Sequence, residues 1–172
     1  VYDCAFDNCE LISFLNVPAS LHNISLTTLK MLTSLQSIEV SSNNLSLFSI
    51  DGVLCNRSTS RIIYYPLKKN DDAYVVPNEI KGICAESFDS NPYLNILTLG
   101  SNVNYLESNS VINCTNLTTL NYDSSAVVSS VLKNSGSSLG YSVIFGPNVV
   151  YFPDYFLSND LHLKHISFSS NP

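Results

Sequence analysis

Apolar residues recur along this chain with a period of 23 residues. One column is Val17, Val40, Val76, Leu99, Tyr122, Phe145 and Phe168. A second, two residues earlier, is Leu15, Ile38, Tyr74, Leu97, Leu120, Val143 and Ile166. The one irregular spacing, 36 between Val40 and Val76, is 23 plus a 13-residue insertion. In a chain that is 45% hydrophobic, fourteen independent positions would all be apolar about once in 10⁵ trials, so the period reflects the fold and not the composition. A third column, Ile12, Leu35, Asp71, Leu94, Leu117, Gly140 and Leu163, is apolar in five of seven repeats. The two columns at i and i+2 predict a short strand with one buried face. Such a strand buries no core alone, but stacked on its copies it makes a parallel sheet along a solenoid.

The return side of each unit is patterned too. Four residues after the strand column stand Leu21, Ile80, Val103, Ala126 and Val149, followed by Ile24, Ile83, Leu106 and Phe152, and then by Leu29, Phe88, Val111 and Leu157. The segments Thr27–Leu32, Ala85–Phe88 and Ser110–Cys114 suit one helical or 3₁₀ turn each. The expectation is therefore an α/β-type repeat solenoid over residues 1–172, a single domain of about seven coils. It has a parallel sheet on one face and short helical turns with irregular structure on the other. Residues 126–140 break the pattern: Ser129, Asn134, Ser137 and Gly140 stand where apolar residues are due, while Val128, Val131, Leu132 and Leu139 fall out of register.

The insertion, about residues 48–66, reads as a β-hairpin projecting from the solenoid. Phe48–Leu54 and Arg61–Pro66 are rich in apolar and aromatic residues. Cys55–Ser60 is turn-like, and Asp51-Gly52 supplies a bend or bulge. Two readings stand. The hairpin is a recognition arm carrying Tyr64 and Tyr65, or its aromatics cover the core where the repeat is interrupted.

The stretches Cys4–Cys9, Ser49–Asn56 and Val76–Ile83 resemble the BspA-like leucine-rich repeat family, whose pattern is roughly A-F-x-x-C-x-x-L-x-x-I-x-I-P-x-x-V-x-x-I. The resemblance runs from residue 3 to residue 170 and departs at 126–140. It implies a secreted or cell-surface repeat protein, of a kind often used in adhesion or host contact. It implies no catalytic residues and no cofactor.

Net charge of −6 and a pI near 4.8 argue against nucleic acid, because eight Lys and Arg form no basic face. No run of 18 apolar residues is present, so no helix of this segment is expected to insert in a membrane. The chain opens inside a repeat and stops just after the last strand column. It is therefore expected to be a fragment of a longer extracellular or cell-surface protein whose signal peptide and anchor lie outside it.

Candidate chemistry is sparse. Cys9 and Cys114 share a column with Leu32 and Asn91, which suits small buried residues better than halves of disulfides; Cys4 with Cys9 is a weak disulfide candidate. His162-x-x-His165 lies on a strand approach, where alternation turns the two side chains apart, and no zinc spacing occurs. Asp71-Asp72 closes a charged run expected to be solvated and lacks the alternate ligand spacing of a calcium loop. Five glycosylation sequons begin at Asn23, Asn44, Asn56, Asn113 and Asn116.

The outward face of the strand sheet is the remaining candidate. It carries Asn16, Glu39, Val75, Thr98, Asn121, Ile144 and Ser167, and beside them Phe14, Ser37, Ala73, Ile96, Thr119, Ser142 and His165, with one formal charge among them. Of these, Asn16, Glu39, Thr98, Asn121 and Ser167, together with Tyr64 and Tyr65 of the insertion, are the candidate ligand-facing residues. A face this neutral suits a glycan or a weakly polar protein surface, and it suits a scaffold that binds nothing. The first expectation is an interaction or adhesion module for a protein or glycan partner, not an enzyme. The alternatives are a structural spacer within a larger surface protein and, more remotely, a hydrolase-type enzyme centred on 126–140, a stretch without His, Asp or Glu.

Overall fold

In the computed structural model, which describes residues 5–126, 128, 130–152, 154–157 and 160–169, the apolar columns become strand register. The first coils contain β1 (Phe14–Val17), α1 (Leu26–Lys30) and β2 (Ser37–Val40). The insertion contains β3 (Leu47–Ile50), β4 (Val53–Asn56) and β5 (Arg61–Tyr64). The later coils contain β6 (Ala73–Val75), β7 (Gly82–Ile83), β8 (Phe88–Asp89), β9 (Ile96–Leu99), β10 (Tyr105–Leu106), β11 (Val111–Ile112), β12 (Thr119–Tyr122), β13 (Leu132–Lys133), β14 (Tyr141–Phe145) and β15 (Leu163–Phe168).

Strands β6, β9, β12, β14 and β15 form one parallel sheet, with Tyr74, Leu97, Leu120, Val143 and Ile166 in consecutive rungs. Strands β1 and β2 pair in parallel as a separate block, Leu15 opposite Ile38 and Val17 opposite Val40. The phase of the columns is continuous, yet the sheet is not. The edge of β2 that would meet β6 is taken by the inserted hairpin: Ile38 N–H donates to the Gly52 carbonyl at 2.9 Å, and Val40 N–H to Ser49 Oγ at 3.0 Å.

The return side departs from expectation. Among the described residues α1 is the only α-helix, and it overlaps the predicted Thr27–Leu32 turn. Neither of the other two predicted helical turns is helical: residues 85–87 form a turn leading into β8, and residues 110–114 contain β11, so the fold is a β-solenoid with almost no helix and not an α/β-type one. Short strands stack into two further parallel arrays, β5–β7–β10 and β8–β11–β13. The physical reason lies in the backbone. Left-handed residues Glu86 (φ 57°) and Ser90 (φ 57°) bracket β8, and Asn109 (φ 59°) and Asn113 (φ 56°) bracket β11 one period later. Each pair bends the chain sharply on both sides of two extended residues. The amides then bond between coils, as Phe88 N–H does to the Ser110 carbonyl at 3.0 Å, instead of within a helical turn.

The irregular coil is a two-residue slip. Val111 pairs with Phe88, 23 residues before it, but with Leu132, only 21 after it. A slip of two keeps the side-chain alternation, so Leu132 enters the core in place of the expected Asn134. Val128 and Val131 are buried with it, Leu139 is exposed, and Ser129 lies outside the described residues. The phase is restored through Gly136 (φ 97°) and Gly140 (φ 95°), and β14 returns to the 23-residue register.

The insertion does not project. It is a three-stranded antiparallel wall, β3–β4–β5, whose first turn is Asp51-Gly52, so that Phe48–Leu54 is two strands and not one. The wall stands between two apolar clusters. Leu54 and Tyr64 pack with Val17, Leu29, Leu35 and Ile38, whereas Val53, Cys55, Ile62 and Tyr65 pack with Tyr74, Ile80, Ile83 and Phe88. Alternate side chains of β4 thus feed both clusters, as the two-residue period of a strand allows.

Polar residues close the gaps that the apolar columns leave. Asp71, the exception in the third column, is half-buried and paired: its carboxylate accepts the Tyr65 hydroxyl at 2.8 Å and lies 3.1 Å from the Lys69 ammonium, while Asp72 beside it is exposed. Asn91, fully buried, donates to the carbonyls of Pro66, Leu67 and Lys69 and accepts from the amides of Tyr93 and Leu94. Asn44 and Asn102 clamp the preceding coil in the same way, at Pro18 and Leu21 and at Pro77 and Ile80. Cys9, Cys55, Cys84 and Cys114 are free thiols, and burial pushes that of Cys114 up to about 12. Cys4 lies outside the described residues.

Candidate binding surface

Strand alternation sends one set of side chains inward and leaves two outward ladders on the five-stranded sheet. The first is Val75–Thr98–Asn121–Ile144–Ser167, and the second is Ala73–Ile96–Thr119–Ser142–His165. Parallel neighbours stand about 4.8 Å apart, so each ladder spans roughly 20 Å. His165 is the one titratable group on these ten positions. Asn121 Nδ2 donates to Thr98 Oγ1 at 2.9 Å, joining two candidate residues across the rung.

The candidate residues divide into three groups. Thr98, Asn121 and Ser167 share this sheet, with Ile144 between the last two. Asn16 and Glu39 face each other on the separate β1–β2 block, across the inserted wall from the others. Tyr64 and Tyr65 are not surface residues at all: they are 1% and 0% exposed. Tyr65 stacks on Phe88 with ring centroids 4.9 Å apart and meets Tyr74 edge-on at 5.0 Å. Burial pushes the Tyr64 hydroxyl up to about 12 and raises that of Tyr65, whose proton is also held by Asp71. Tyr64 and Tyr65 therefore do not face a ligand, because both rings are interior and seal the core at the insertion, while the tip of the insertion, residues 57–59, stays exposed.

The shortened coil carries a cavity of about 400 Å³. Ser130, Lys133 and Asn134 from that coil meet Asp160 and His162 from the next, so the acid and the histidine absent from 126–140 are supplied by its neighbour. Among the described residues no serine–histidine–carboxylate relay is assembled there. Asp160 accepts the Tyr141 hydroxyl at 2.5 Å and the His162 backbone amide at 3.1 Å, while Ser130 Oγ donates to the Leu132 carbonyl. A Ser–His contact does occur between Ser46 and His22, at 3.2 Å, but on open surface. Among the described residues no three His, Cys, Asp or Glu are grouped to hold a metal, and no helix is long and apolar enough to cross a membrane.

A second polar feature is carried in the sequence by spacing alone, without an apolar signal. Asn70, Tyr93 and Asn116 are 23 residues apart, as are Asp72, Asn95 and Thr118. The coil turns that enter β6, β9 and β12 stack these two columns beside the sheet, and all of them but Thr118 line a groove of about 390 Å³.

Comparison with known proteins accords with this architecture. The solved structure of a leucine rich cell surface protein from Faecalibacterium prausnitzii superposes with a TM-score of 0.65 at 20% identity, over 93% of this chain and 48% of its own. A leucine-rich repeat protein from Eubacterium ventriosum gives 0.62 at 20% identity, over 90% and 48%. The pneumococcal vaccine antigen PcpA gives 0.56 at 22% identity, over 91% and 42%. The chain thus spans about half the length of the structures it resembles. No curated protein matches its sequence. The sequence model of the BspA type leucine rich repeat region matches residues 1–68 and 64–172 with six copies, and the chain belongs to that family.

Proposed function

We propose that this chain is a non-enzymatic interaction module of an extracellular or cell-surface protein, and that it offers the outward face of the five-stranded sheet to an uncharged partner. The observation that carries the reading is the neutrality of that face in a chain of net charge −6, with Val75 63% exposed at one end of its ladder. Such a face lets a neutral polar surface approach without desolvating fixed charge. The cell-surface description of the Faecalibacterium relative supports the location.

The test is to probe printed arrays of extracellular proteins and of oligosaccharides with the chain and with Asn121→Arg, which sets a charge at the centre of the face. Binding by the parent that is lost in the variant supports the proposal. Binding that the variant retains places the contact elsewhere. A second reading, a spacer within a larger surface protein, is favoured by the Asn121–Thr98 hydrogen bond, in which two outward side chains satisfy each other. Silence on every array would decide for the spacer.

A further inference from the structure

We infer that the groove beside the sheet is a binding site for a neutral glycan, with Tyr93 as its platform and Asn70, Asp72, Asn95 and Asn116 as the groups that read sugar hydroxyls. The inference rests on the surface-binding reading above and names a ligand class for it.

The groove is built by the repeat itself. The Asp72 carbonyl accepts the amides of Asn95 and Ile96 at 2.9 and 3.0 Å, and one coil later the Asn95 carbonyl accepts those of Thr118 and Thr119 at 2.8 and 3.1 Å. These stacked turns hold the two polar columns at the rung spacing, so three successive side chains cover about 10 Å, room for more than one sugar ring. Side-chain bonds set the walls. Asn95 Nδ2 donates to Asp72 Oδ1 at 2.5 Å, and Asn116 Nδ2 donates to the Pro92 carbonyl at 2.5 Å. The Asn70 amide makes no hydrogen bond among the described residues, which leaves two donors and an acceptor at the rim.

The chemistry favours a sugar over other ligands. A pyranose presents hydroxyls that both donate and accept, beside a face of C–H groups. Planar amides and one carboxylate answer the first, and an aromatic ring answers the second. Tyr93 is 37% exposed and its ring also carries the Lys68 ammonium at 5.7 Å from the centroid, so the platform is both accessible and held. A protein partner would need an apolar pocket for an anchoring side chain, which this polar groove does not offer. An acidic glycan would meet Asp72 and the overall negative charge. The groove lies beside the entry to the sheet, because its lining residue Asn95 directly precedes β9.

The experiment is a titration of the isotope-labelled chain, followed by amide correlation spectra, with cellohexaose, maltohexaose, chitohexaose and mannohexaose at millimolar concentration, and with a heparin hexasaccharide as the acidic comparison. The expected result is that at least one neutral hexaose shifts the Tyr93 and Asn95 amides and the side-chain NH₂ signals of Asn70 and Asn116. Tyr93→Ala should weaken it about tenfold or more, and Tyr93→Phe should retain it. Asn70→Ala, whose side chain holds nothing in place, should weaken binding without changing the melting temperature. No groove shift with any neutral hexaose, or a preference for the heparin fragment, overturns the inference. Shifts confined to Thr98, Asn121 and Ser142 would overturn the groove while leaving the sheet-face reading standing.

Discussion

Replacing Asn91 by Leu sets the repeat pattern against the tertiary structure. By the pattern, Asn91 occupies a column with Leu32, Cys9 and Cys114, so leucine should fit and stabilise. By the structure, its side chain makes five hydrogen bonds with the main chain, two of them, to the Pro66 carbonyl and from the Leu94 amide, fully buried. Leaving a buried backbone group unpaired costs about 1–3 kcal/mol, so these two account for roughly 2–6 kcal/mol. The three half-buried bonds can pass to water and add about 1–2 kcal/mol. Leucine returns about 2 kcal/mol of apolar transfer. The net expectation is a loss of about 3 kcal/mol, which for a chain of this size lowers the melting temperature by roughly 6–12 °C. Thermal unfolding followed by circular dichroism measures it, with Leu32→Asn as the reciprocal exchange; that variant should also be destabilised, because the incoming amide meets no partners. An Asn91→Leu protein that melts at or above the parent would refute the clamp and restore the column as the better guide.

Two further perturbations test the sheet and the tie between the two apolar clusters. Leu120→Ala should destabilise by about 2–5 kcal/mol, while its neighbour Asn121→Ala, losing one half-buried bond to Thr98, should lose about 1 kcal/mol or less; equal melting shifts would mean that the sheet faces have been assigned inside out. Lys30 of α1 lies 2.5 Å from Glu86 Oε2 and 2.7 Å from Asp89 Oδ2, and Lys30→Met should lower stability by about 1–2 kcal/mol, discounted because Glu86 is half exposed. Burial alone would raise the Asp89 carboxyl, but hydrogen bonds from Lys30, Ser90 and Asn113 outweigh it and hold it below the usual carboxylate range; burial alone would lower the Lys30 ammonium, but Asp89 and Glu86 outweigh it and hold it high. The depressed acid contributes above about pH 4 and loses that contribution as pH falls through its folded value, and the raised base contributes below about pH 10 and loses it as pH rises. The parent–variant difference should therefore form a plateau between those limits and shrink at both ends; a difference independent of pH would refute the ion-pair account.

Periodicity by itself determined the solenoid, the inward strand columns and the outward neutral face, because a stacked repeat must present the same side chain to the same environment in every coil. Leu97, Leu120 and Val143 were legible as core for that reason, and Thr98 and Asn121 as their outward neighbours. Spacing between columns is silent about the backbone that joins them. The left-handed residues Glu86, Ser90, Asn109 and Asn113, which replace the expected helical turns by sharp bends around two-residue strands, carry no apolar signal. The slip at Leu132 was hidden because a shift of two residues preserves alternation while moving the column. Tertiary structure alone decided the fate of the insertion. Tyr64 and Tyr65 look the same in sequence whether they reach outward or inward, and only the capture of the β2 edge by Gly52 and Ser49 folds them into the wall between two clusters. The same holds for Asn91, Asn44 and Asp71. Asn91 and Asn44 are polar at fully buried sites and Asp71 at a half-buried one, and the stability of each there depends on partners that only the folded chain brings within hydrogen-bonding distance.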